Sequence, residues 1–165
     1  MFGLGGALVF SSPRYLIRVV NALVTASLAG TIIYWIVPSL GPYFYSETAA
    51  LFDRMPDNPL LKEMLLRQLL ATMESPENFH VTFGGGIAAF PSLHITFSTI
   101  LLFFLWSKHR ILTVLLLFPF SQLVVSTVYL GWHYAFDSLG GIVLAWIVIT
   151  LIECLEVSKA SMKES

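Results

Sequence analysis

Four histidines stand in this 165-residue chain, at His80, His94, His109 and His133. Two of them sit where phosphoryl chemistry is possible. In GWHYAFD, His133 is followed four positions later by Asp137, a spacing that on a helix places both side chains on one face. A carboxylate on one imidazole nitrogen fixes the tautomer and raises the basicity of the other, so such a histidine can attack phosphorus. His94, in FPSLH, is then a candidate general acid for the departing oxygen. Ser92, together with the backbone N–H groups at a helix start after Pro91, offers donors to an anionic phosphate.

These residues must be carried by membrane-spanning elements. Of the chain, 56% is hydrophobic and only 12% charged, with a mean hydropathy of +0.79. A soluble domain carries about 25% charged residues, so too little polar material is present to coat a water-facing surface. The net charge of -1 argues against nucleic acid, because phosphate-driven binding needs a concentrated basic surface. The single cysteine, Cys154, allows no internal disulfide and no paired-cysteine zinc or redox motif.

Uncharged or nearly uncharged runs mark the spans. Residues 19–37 form the first, and the span is expected over about 17–37. Ile111 to Leu130 and Phe136 to Leu155 are two more, read as spans over 111–130 and 136–156. PSLHITFSTILLFFLW, 91–106, is shorter, with Pro91 suited to a first helical turn. The N-terminal MFGLGGALVF is too short to cross and lacks the basic start of a signal peptide. A long polar stretch, 38–90, separates the first two spans. Within it Asn58 and Pro59 open LLKEMLLRQLLATM, whose Leu61, Met64, Leu65, Leu69 and Met73 recur at helical spacing. This reads as an amphipathic helix lying on the membrane surface or packed as a lid. The expected fold is therefore all-α: one membrane domain over 1–165, a polytopic transmembrane helix bundle of four spans with an extracytoplasmic surface helix.

Basic residues near span ends prefer the cytoplasm. With four spans, Arg14, Arg18, Lys108, Arg110, Lys159 and Lys163 all fall on one side, which makes the N-terminus, the SKHR turn and the C-terminus cytoplasmic. His109 lies in that turn and His80 in the outer loop, and both take a structural reading. His94, His133 and Asp137 converge at the opposite, outer face. Ionisable groups at membrane depth are expensive and tend to mark function. Tyr34, Trp35, Trp106, Trp132 and Tyr134 fall near span ends and read as an interfacial belt. Two alternatives use the same residues. Two histidines and a carboxylate are also the ligand set of a facial-triad metal site, and a catalytically silent membrane binding or scaffold protein is a third class.

FPSLH at 90–94 and STVYLGWHYAFDSLGG at 126–141 resemble the second and third signature motifs of the type 2 phosphatidic acid phosphatase superfamily. They most resemble its inositolphosphorylceramide synthase-like branch, where PSLH and HYxxD forms occur. The resemblance covers roughly residues 30–157 and implies a metal-independent phosphatase or phosphotransferase with no cofactor. It implies His133 as nucleophile, Asp137 as its orienting partner, His94 as general acid and Ser92 as a phosphate contact. The implied substrates are lipid phosphates, polyprenyl pyrophosphates or phospholipid head groups, met at the outer face of the cell membrane. The superfamily's first motif, a Lys followed at a distance by Arg-Pro, has no match here, and Thr127 stands where an Arg usually follows the serine of the third. Arg67 on the surface helix is the best candidate to supply the positive charge, ahead of Arg54 and Lys62. The superfamily core commonly has six spans against the four counted, which points to a lost N-terminal portion with MFGLGGALVF as its remnant, or to a reduced form.

Overall fold

The computed structural model describes residues 12–39, 41–42, 67, 89–129 and 132–164, and their regular structure is helical throughout. Four helices follow in order: α1 (Pro13–Ile36), α2 (Leu93–Trp106), α3 (Arg110–Tyr129) and α4 (Ala135–Glu164). The expected amphipathic helix and most of the 38–90 stretch lie outside the described residues. Arg67, within it, is helical and exposed.

Among the described residues, three helices are long and apolar enough to cross a membrane: α1, α3 and the Ala135–Ser158 part of α4. The fourth expected span is shorter than read, because α2 has 14 residues, roughly 21 Å at 1.5 Å per residue. That falls short of a hydrocarbon core of about 30 Å. The helix also starts two positions later than Pro91, after Ser92 as N-cap. The reason lies in the backbone at Ser92, which is extended rather than helical. Ser92 N–H donates to the Asp137 carbonyl at 3.0 Å, and the helical ladder opens only with Thr96 N–H to the Ser92 carbonyl. The entry segment is not helical, yet Ala89, Pro91 and Ser92 are buried in protein, the condition under which non-helical backbone is tolerated at membrane depth.

α1 begins with Ser12 accepting from the Tyr15 N–H and with Pro13 in the first turn, where proline's missing donor costs nothing. It buries Tyr15, Val19, Ala22, Ala26 and Gly30, one stripe at three- and four-residue spacing. Small residues in that stripe let backbones approach, and in lipid such close packing drives helix association. The stripe meets Ile100 and Phe104 of α2 and Leu144, Ala145, Val148, Ile149 and Ile152 of α4 in a single apolar cluster. α3 buries little beyond Thr113 and Thr127, and leaves residues such as Ile111, Leu115, Phe118 and Val125 facing outward. An outward apolar surface suits an integral membrane protein.

The bundle has two chemically distinct ends. At one, Arg18 of α1 pairs with Glu153 and Glu156 of α4, and Lys108 of the α2–α3 turn lies over the Tyr15 ring. His109 belongs to this basic end. At the other lie the α2 entry, the last turn of α1 and the start of α4.

Candidate active site

The PSLH segment is held in place from three directions before any side chain of the site is considered. Ala89 N–H donates to the Ser39 carbonyl and Phe90 N–H to Ser39 Oγ at 2.8 Å, while the Ser92 N–H is taken by Asp137 as described. Pro91 has no donor, so every backbone N–H from Ala89 to Ser92 is accounted for. The Tyr34 hydroxyl of α1 donates to the Pro91 carbonyl at 2.8 Å. Thr96 Oγ1 lies 2.9 Å from the Ser92 carbonyl and 3.0 Å from that of Gly141. This last contact needs a residue without a side chain: a Cβ on Gly141 would lie 2.5 Å from the Ser92 carbonyl oxygen. Gly140 makes the matching room for Phe90, whose ring stacks on Phe136 at 5.7 Å.

His133 is placed by the preceding helix. The N–H groups of Trp132 and His133 both donate to the Thr127 carbonyl, each at 3.0 Å, hooking the loop onto the end of α3. The expectation that His133 and Asp137 share a helix face is corrected here, because α4 begins at Ala135 and His133 precedes it. A different local device brings them together. Asp137 is in the first turn of α4 and its Oδ2 accepts the Tyr134 N–H at 2.7 Å, the reach-back half of a capping box. So fixed, the same oxygen stands 3.6 Å from His133 Nδ1. This is ion-pair distance, longer than a hydrogen bond.

The two histidines of interest meet. The His94 ring, in the first turn of α2, lies edge-on to that of His133, with centroids 6.1 Å apart and planes at 64°. His133 and Asp137 are only 6% and 4% exposed, whereas His94 is exposed. Burial pushes the His133 imidazole below its ordinary value; Asp137 and the backbone at Ala89 pull it partly back, and His94 adds to the depression. Near pH 7 the ring is therefore neutral, with a lone pair for attack or proton transfer.

Ser92 is fully buried beside this pair, and its hydroxyl has no hydrogen-bond partner. Its backbone N–H, expected as a free phosphate donor, is already committed to Asp137. The Ser138 hydroxyl is likewise buried and unpartnered. Among the described residues no three His, Cys, Asp or Glu side chains are grouped to hold a metal ion, so the facial-triad reading finds no ligand group there. His109 lies at the far end of the bundle. Sequence reasoning missed Ser39 and Tyr34. Tyr34 read as a belt residue, yet it is half-buried and braces the site, and only contacts across 57 positions reveal this. Trp35, by contrast, is 88% exposed.

Comparison with curated proteins and with solved structures gives no match. The sequence does match the family model of the PAP2 superfamily over residues 1–151. Members of that superfamily are generally phosphatases or phosphotransferases, and membership suggests action on lipid-like phosphates. With nearly the whole chain covered by that match, this protein belongs to the PAP2 superfamily.

Proposed function

We propose that this protein is a metal-independent phosphatase or phosphotransferase acting on a lipid-linked phosphate or phospholipid head group through a phosphohistidine at His133. The observation that carries the reading is the approach of the His94 and His133 rings from separate helices to 6.1 Å, with the Asp137 carboxylate behind His133.

In the first half-reaction the Nε2 lone pair of neutral His133 forms a P–N bond as the bond from phosphorus to the leaving oxygen breaks. Protonated His94 gives its proton to that oxygen. Asp137 faces Nδ1, holds the proton there and offsets the positive charge that develops on the ring. Neutral His94 then takes a proton from water or an alcohol as its oxygen attacks phosphorus. The P–N bond breaks and its electron pair returns to His133. Water gives a phosphatase and an alcohol a transferase, and the PSLH form leans toward transfer in the manner of the inositolphosphorylceramide synthase-like branch. Ser92 is the proposed phosphate contact, in keeping with its unpartnered buried hydroxyl. Arg67, exposed and cationic, is the proposed source of positive charge that the missing first motif would have supplied. The basic end is proposed to face the cytoplasm, which puts the site at the extracytoplasmic side of the cell membrane.

The test is turnover by purified protein against a panel of lipid phosphates and phospholipids, with and without an alcohol acceptor, in EDTA. Phosphate release or head-group transfer that persists in EDTA and disappears in His133→Ala supports the reading. Loss of turnover in EDTA overturns metal independence. A well-folded protein inactive on the whole panel supports the silent-scaffold alternative.

A further inference from the structure

At the basic end, opposite the histidines, a cavity of about 530 Å³ is lined by Lys108, His109, Arg110, Ile111, Leu112 and Leu115. Its lining divides by chemistry. The cations come from the α2–α3 turn and the first position of α3. The apolar residues follow directly along α3, where Ile111 and Leu115 are one turn apart on the same side and both strongly exposed.

The charges here differ in how they are balanced. Arg18 lies between two carboxylates, Glu153 and Glu156. Among the described residues, Lys108 and Arg110 have no carboxylate within ion-pair distance. Each rests on an aromatic ring instead: Lys108 Nζ is 5.6 Å from the centre of Tyr15, and the Arg110 guanidinium 5.8 Å from that of Trp106. A ring braces a cation and leaves its positive charge uncompensated. No acidic residue occupies the first turn of α3 either.

We propose that this cavity is a binding site for an anionic phospholipid, with the head-group phosphate between Lys108 and Arg110 and the first part of an acyl chain along Ile111, Leu112 and Leu115. Charge complementarity names the ligand's head, and the apolar wall selects a lipid over a free phosphate, which has nothing to place there. Basic clusters at the ends of spanning helices attract anionic head groups by this means. The site is separate from the histidine end and does not depend on the chemistry assigned there.

The experiment uses the full chain in nanodiscs of phosphatidylcholine alone or in equal mixture with phosphatidylglycerol, with native mass spectrometry counting retained lipid. The wild-type protein is expected to retain phosphatidylglycerol in preference to phosphatidylcholine. Lys108→Gln with Arg110→Gln should weaken that retention roughly thirtyfold, from two surface cations, while the charge-preserving Lys108→Arg with Arg110→Lys keeps most of it. Added inorganic phosphate should not displace the lipid. Absence of any preference in the wild type overturns the proposal whether or not the variants fold. Unchanged preference in the double Gln variant overturns the assignment to these residues, and displacement by inorganic phosphate overturns the lipid as ligand.

Discussion

On the proposed mechanism, the burial that lowers the proton affinity of the His133 imidazole also sets the pH at which it can attack phosphorus. Attack needs the neutral ring, so a pKa below the ordinary histidine value of about 6.5 keeps the enzyme active into mildly acidic solution. The acid limb of kcat/KM is expected below that value, and a limb well above it would contradict the assignment. Asp137 acts to raise the pKa of His133. Asp137→Asn should therefore move the limb still lower in pH, while cutting the rate by up to about 10⁴-fold through loss of the tautomer. His94→Ala should cost roughly 10²- to 10⁴-fold, the usual contribution of a general acid. His109→Ala, at the other end of the bundle, should leave turnover unchanged. The pair His133 and Asp137 was legible in the sequence from residue type and spacing alone. The geometry that joins them was not, because four residues on a helix and a histidine just ahead of a capped helix share one spacing in the sequence.

Between elements, the site depends on how closely α2 and α4 approach. Gly141 faces the Ser92 carbonyl, with no room for a methyl group. Gly141→Ala must push the two helices apart, at a cost of about 1–3 kcal/mol for overpacking, and should lower kcat more than it lowers yield of folded protein. Equal kcat in wild type and Gly141→Ala would show that the approach does not matter. Tyr34→Phe removes one hydrogen bond to the PSLH segment, worth about 0.5–1.5 kcal/mol, and should lower the thermal midpoint in detergent measurably. The apolar runs and the SKHR turn made α1, α3 and α4 visible beforehand. The true start of α2 was hidden because the backbone ahead of it is held by Ser39 and Asp137, residues far away in the chain.

For the molecule as a whole, hydrophobic composition and the grouping of basic residues foretold a helical bundle with two unlike ends. The packing bears this out through Arg18 with its two glutamates at one end and the histidine pair at the other. Single cysteines at positions 109 and 134, introduced in a Cys154→Ser background, should label from opposite sides of a sealed vesicle; labelling of both from one side would break the proposed topology. The central claim is that His133 carries the phosphoryl group between donor and acceptor. It is tested most directly by quenching turnover of a labelled lipid phosphate in alkali and mapping the label by mass spectrometry. The account predicts an acid-labile, alkali-stable phosphoryl group on His133, absent in His133→Ala. A protein that turns over normally while the label sits on another residue, or on none, would contradict it.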